Sequence, residues 1–183
     1  MKNIQERIPN KLQIVHVFAS ITFPVYSWAT YWALHFVPSL LKSLTILETL
    51  IVIAYVYVTA LVEIIVLLLS LLIFTVIMPI TWLKKGFVAK GTVLMWLIFI
   101  SAIVAQYNIG YIRVRSDLRD FMIYIPIVIG IWIVLMLVFS FLISRFPGVE
   151  KSVDSLSHRL IAFLYIYIPI SILSLIIVIV RNL

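Results

Sequence analysis

Charged residues along this chain fall in short clusters separated by long apolar runs. Between Lys11 and Lys42 lie 30 residues without a charge, and between Lys42 and Lys84 lie 41 interrupted only by Glu48 and Glu63. Gly91 to Ile112 adds a run of 22, Phe121 to Ser144 one of 24, and Leu160 to Val180 one of 21. A helix needs about 20 apolar residues to cross a bilayer, whereas a membrane β-barrel shows alternating strands of about 10. Stretches such as Leu67-Leu68-Leu69-Ser70-Leu71-Leu72-Ile73 do not alternate. The many Ile and Val residues would favour strands in water, but in lipid the backbone must satisfy its own hydrogen bonds, so helices prevail. The pattern predicts an all-α integral membrane protein, a five-span transmembrane helical bundle with spans near 12–36, 43–83, 92–112, 121–144 and 160–180.

Punctuation refines these spans. Asn10-Lys11 precedes the first, Pro24 lies in its middle where a kink is expected, and Pro38 marks its end. The second run is over-long. From Ser43 to Met78 it contains no Gly, Pro, Asn or Asp and so no ordinary turn signal. As one helix it would measure about 54 Å against a hydrocarbon core of about 30 Å. It either extends beyond the membrane against a partner or breaks near Glu63, which would give six spans. Trp82-Leu83-Lys84-Lys85 resembles an interfacial anchor, and Trp96 and Tyr111 are placed for the interfaces at the ends of the third span. Ser116 is a candidate N-cap, with Asp117 and Asp120 in the first turn of the fourth helix. Val149, Val153, Leu156 and Leu160 recur at helical spacing, so 147–159 is expected to be a short amphipathic helix on the membrane surface.

Composition agrees with the pattern. The chain has 183 residues, 64% hydrophobic and 11% charged, against about 45–50% and 25% in soluble domains. Its mean hydropathy is +1.22. Five spans put nine Lys and Arg residues on the N-terminal side and five on the other, which predicts a cytoplasmic N-terminus and a C-terminus on the opposite side. Splitting the second run makes the count seven against seven. The first apolar segment is longer than a secretory core of about 7–15 residues, and reads as a retained helix of a cell membrane or organelle inner membrane. The net charge of +7 is divided between both faces as membrane anchors, so no nucleic-acid partner is expected. With no Cys, disulfides, thiolate metal sites and iron–sulfur clusters are excluded.

Ionisable and polar groups inside spans are the candidates for function. Thr45, Glu48, Tyr55, Thr59, Glu63 and Ser70 fall within one arc of about 120° on the second helix. Glu63 would be the titrating carboxylate of a proton or ion relay; alternatively the stripe packs against neighbouring helices or another subunit. On the first helix His16, Ser20, Ser27, Thr30 and Tyr31 share an arc of about 100°. His16 has no second His three or four residues away; a haem held between His16 and His158 is permitted by position, though no motif supports it. Gln106 and Asn108 on the third helix suit hydrogen bonds between helices. Tyr124-Ile125-Pro126-Ile127 echoes Tyr167-Ile168-Pro169-Ile170, a weak hint of an internal repeat.

The absences narrow the function. No Walker loop, GxGxxG, HExxH, GxSxG or EF-hand pattern occurs, so no enzyme activity or cofactor of the chain's own is expected. Besides the lipid bilayer, the expected partners are other membrane subunits. The chain reads as a non-catalytic accessory subunit of a larger membrane complex, for which a bioenergetic assembly is one natural host. The alternative is a small proton, ion or solute transporter or channel protomer acting as a homo-oligomer. A lipid enzyme would need a polar interfacial cluster, and Arg113, Arg115, Asp117 and Asp120 read more simply as caps with counter-charges. Scarce Asn, Gln and Cys hint at a thermophilic source.

Overall fold

The computed structural model describes residues 9–77, 86–115 (side chains to 106) and 130–183 except 132, 133, 136, 137, 140 and 144. These residues are helical throughout apart from short connections, and four helices are long and apolar enough to cross a membrane. They are α1 (Lys11–Leu40), α2 (Ile46–Ile77), α3 (Phe87–Arg115) and α4 (Pro147–Asn182). At 30, 32, 29 and 36 residues they measure about 45, 48, 44 and 54 Å. Most described residues of the expected 121–144 span, from Gly130 to Ile143, are helical. The Trp82–Lys85 anchor, the Ser116 cap with Asp117 and Asp120, the Tyr111 and Asn108 side chains and the Tyr124–Ile129 echo lie outside the described residues.

Local chemistry sets the helix ends. The Asn10 N–H donates to Gln13 Oε1 (3.0 Å), half of a capping box that starts α1. The helix runs past Pro38 to Leu40, beyond the end expected there. At α2, Thr45 N–H and Oγ1 both donate to Glu48 Oε2 (2.8 Å each), and Glu48 N–H returns to Thr45 Oγ1 (3.3 Å). This reciprocal capping box defines a start that Gly and Pro punctuation leaves unmarked. α2 then continues unbroken through Glu63, so the expected alternative of a break there is not what forms. Pro147 sits at the first position of α4, where its missing N–H costs nothing, and the helix continues to Asn182. The surface segment expected at 147–159 is therefore the first part of the same helix as the 160–180 span.

Side-chain pairs fix the directions of the helices. Along α1 and α4 the pairs Ser20–Ser157, Phe23–Phe163 and Tyr26–Tyr167 ascend together, with His16–His158 at the starting end, so these helices run parallel. α3 is parallel to both, through Ser20–Trp96 and Trp28–Gln106 on one side and Thr92–Ser157 on the other. α2 runs the opposite way, with Tyr57 against Tyr26 and Thr30, and Tyr55 against Asn182. α1 and α4 form the central pair, touching each other and both remaining helices.

The core follows from spacing. Val17, Ile21 and Val25 line one face of α1 and meet Ala60, Ile64 and Leu71 of α2 and Phe87 and Met95 of α3. Gly91 lets three helices close here: a Cβ on it would lie 3.2 Å from Leu71 Cδ2 and 3.4 Å from Val17 Cγ2. A smaller cluster joins Ala19 of α1 to Leu160 and Leu164 of α4. In lipid such contacts gain van der Waals packing rather than hydrophobic transfer energy, so polar links between helices carry a larger share of the cohesion.

Candidate functional site

Polar side chains converge at two places. The first, at the end of the bundle holding the α1 N-terminus, is built on His16, which is 4% exposed. His16 Nε2 lies 2.9 Å from His158 Nδ1, with the rings 3.9 Å apart and tilted by 58°. One ring donates and the other accepts, so at least one of the two is neutral. The rings contact each other directly, whereas an iron ligated from opposite sides, at about 2 Å per bond, holds its two nitrogens about 4 Å apart. Among the described residues no group of three or more His, Asp or Glu side chains is placed to hold a metal ion.

Asp154 stands one turn before His158, ahead of the uncharged Leu160–Val180 run that suits the bilayer. Its Oδ1 is enclosed and has no hydrogen-bond partner. Burial raises its pKa above the ordinary carboxylate value, while charge on His158 and then His16 acts in the opposite sense. Next to the histidines, the fully buried hydroxyls of Ser20 (α1), Thr92 (α3) and Ser157 (α4) meet. Ser20 Oγ and Thr92 Oγ1 lie 3.0 and 3.2 Å from Ser157 Oγ, whose own proton goes to Val153 O at 3.0 Å. Three helices are thereby tied by one hydroxyl cluster.

The same region resolves a backbone problem set by Pro24. Proline has no N–H, so the carbonyl four residues back, that of Ser20, loses its helical donor. The Trp96 indole Nε1–H fills the vacancy, donating to Ser20 O at 2.8 Å. Trp96, expected at a membrane interface, is instead a bundle donor. Gly86, at φ +71°, opens α3 under the Glu150 carboxylate, whose Oε1 lies 2.6 Å from where a Cβ would be. The buried Lys90 is within electrostatic reach of that carboxylate.

The second place is a cavity of about 680 Å³ between α1, α2 and α3, in the half of the bundle away from the His pair. Trp28, Trp32 and Phe36 line it from α1, Tyr55, Thr59 and Glu63 from α2, and Phe99 and Gln106 from α3. The spacing explains this: 25, 28, 29, 32, 33 and 36 on α1 and 52, 56, 59 and 63 on α2 are the i, i+3, i+4 faces that turn towards each other. Gln106 Oε1 accepts the Trp28 indole N–H at 3.1 Å. The Trp32 indole N–H is enclosed without an acceptor.

The predicted α2 stripe is thus divided among separate tasks. Glu48 caps its helix; Thr59 and Ser70 donate to Tyr55 O and Val66 O of their own helix at 2.9 and 2.8 Å. Tyr55 OH accepts from Asn182 Nδ2 at 2.6 Å. Only Tyr55, Thr59, Glu63 and Gln106 of the predicted residues share the cavity. Sequence reading missed the tyrosine stack in which buried Tyr26 lies between Tyr57 and Tyr167 and bonds Ser171. It passed over Asp154 as well, although its i, i+4 spacing from His158 was a usable signal. The chain matches no protein-family model, and no curated protein or solved structure matches it.

Proposed function

We propose that the chain is a non-catalytic integral-membrane subunit of a larger membrane assembly, crossing the bilayer five times from a cytoplasmic N-terminus. One observation carries this reading: the length of the uncovered apolar face. On α2, exposed large apolar residues run from Ile46 and Leu47 to Ile77. This face extends over about 46 Å. A tilt of about 40°, the upper end of the observed range, shortens it to about 36 Å, still longer than a hydrocarbon core of about 30 Å. Lipid tails do not cover the surplus, whereas the apolar surface of another subunit would.

The five-span topology draws support from direction. α3 ends at one end of the bundle and parallel α4 starts at the other, and the 24-residue uncharged run between them in the sequence is long enough for a return crossing. The test is gentle purification from native membranes followed by intact-complex mass measurement. Stoichiometric partner subunits, released only when the membrane assembly dissociates, are the expected result. A solitary monomer would overturn the reading. A homo-oligomer would favour the second one, a transporter or channel protomer, which rests on Glu63 lining the cavity.

A further inference from the structure

We propose that the cavity between α1, α2 and α3 is a binding site for a monovalent organic cation with an apolar body, whose charge is balanced by Glu63. The carboxylate sits 17 residues from Ile46 and 14 from Ile77, about 25 and 21 Å from the two ends of α2. Among the described residues it has no hydrogen-bond or ion-pair partner. Charge at that depth is costly, and such groups are retained where they face a partner or a functional cavity. A proton alone would neutralise Glu63 but leaves the space beside it unexplained. That space, about 680 Å³, is within the range of ligand pockets of about 300–1,000 Å³.

The lining selects the class of ligand. Trp28, Trp32, Phe36, Tyr55 and Phe99 surround the cavity with aromatic rings, whose faces attract cations. An inorganic cation is poorly served, since hard ions take about six to eight oxygen ligands and the polar lining is limited to Glu63, Thr59, Tyr55 and Gln106. Of these, Tyr55 and Gln106 already accept hydrogen bonds from Asn182 and Trp28. One negative charge at the inner end of a half-open, largely aromatic and aliphatic groove, on which Glu63, Thr59, Tyr55 and Gln106 are exposed, fits a ligand with one positive charge and a large apolar surface. An anion would meet the carboxylate, and a neutral apolar molecule would leave it unpaired.

The full chain in nanodiscs, with whatever copurifies, provides the test. Tetraphenylphosphonium and the smaller benzyltrimethylammonium are titrated while tryptophan emission is followed, and tetraphenylborate serves as a control of similar shape and opposite charge. Saturable binding of at least one cation is expected, without competition by the borate. Glu63→Gln, which keeps the volume and removes the charge, is expected to weaken it at least tenfold, while Glu63→Asp retains it within a few-fold. Monodisperse elution of each variant verifies folding. Failure of both cations to bind, equal binding by Glu63→Gln, or equal binding of the borate would each overturn the proposal. None of these outcomes bears on whether partner subunits copurify, so the two readings fail separately.

Discussion

A buried imidazole nitrogen is costly when its partner is removed, and His16 is in that position. Its Nε2 is bonded to His158 in a residue only 4% exposed. Removing His158 strands that nitrogen, whereas replacing both rings with apolar groups removes the demand. His158→Leu and His16→Phe are each therefore expected to lower the thermal stability of the purified protein, and the double variant His16→Phe/His158→Leu to recover most of the loss. The coupling energy should fall near the values found between polar groups in membrane helices, about 0.6–1.7 kcal/mol. Thermal denaturation of the two single variants and the double variant checks it; strict additivity would show that the contact contributes nothing. Gly86→Ala meets a left-handed φ of +71°, while the Glu150 carboxylate, at the end of a flexible side chain, can shift to admit the Cβ. It should destabilise by about 1–2 kcal/mol, more than Gly148→Ala, where a Cβ meets nothing within 4 Å. Sequence position alone permits a His16–His158 pair but does not show that the two rings meet at hydrogen-bond distance.

At the scale of the element, each departure from ideal helix has an identifiable compensation. Pro24 leaves the Ser20 carbonyl without a donor, and Trp96 supplies one from α3. Trp96→Phe should therefore cost about 1 kcal/mol in the native background. In a Pro24→Ala background the cost should largely vanish, because the backbone N–H restored at that position takes the carbonyl. A double-mutant cycle read by denaturant unfolding isolates this contribution, and an equal cost in both backgrounds would refute the compensation. Similarly Thr45→Ala should cost about 0.5–2 kcal/mol by removing the cap of α2. Helix existence was legible throughout, because uncharged runs of 21 residues or more have few alternatives in lipid. The α2 cap has a sequence signal too, the Thr45-x-x-Glu48 pattern, which the polar-stripe reading passes over. The Pro24 vacancy could be read from the sequence, but not its donor, which lies 76 residues from Ser20 and belongs to no periodicity.

For the whole molecule, direction is the strongest constraint. Three parallel helices and one antiparallel helix place Asn10 and the start of α4 at one end, and the α1–α2 turn and the end of α3 at the other. With the five spans proposed above, the balance of Lys and Arg, nine against five, predicts that the first end faces the cytoplasm. The long apolar helices were recoverable from charge spacing, whereas the cavity was not. Glu63 could be placed on an α2 face from its spacing, but the distance between that face and α1 depends on how tryptophans, Gly91 and the tyrosine stack set the helices apart. The chain has no cysteine, so single-cysteine variants report position without background. Ser43 is exposed in the α1–α2 turn, and Ser152 is exposed near the start of α4. In intact cells, a membrane-impermeant maleimide is expected to label Ser43→Cys at once, and Ser152→Cys only after permeabilisation. Ser116→Cys, directly after α3, should label with Ser43→Cys. Labelling of Ser43→Cys and Ser152→Cys from the same side would break the parallel pairing of α1 with α4, since the His16–His158 and Ser20–Ser157 contacts require the start of both helices at one membrane face. A consistent pattern of opposite sign would keep the fold and reverse its orientation, placing the Glu63 cavity in the cytoplasmic half of the bundle.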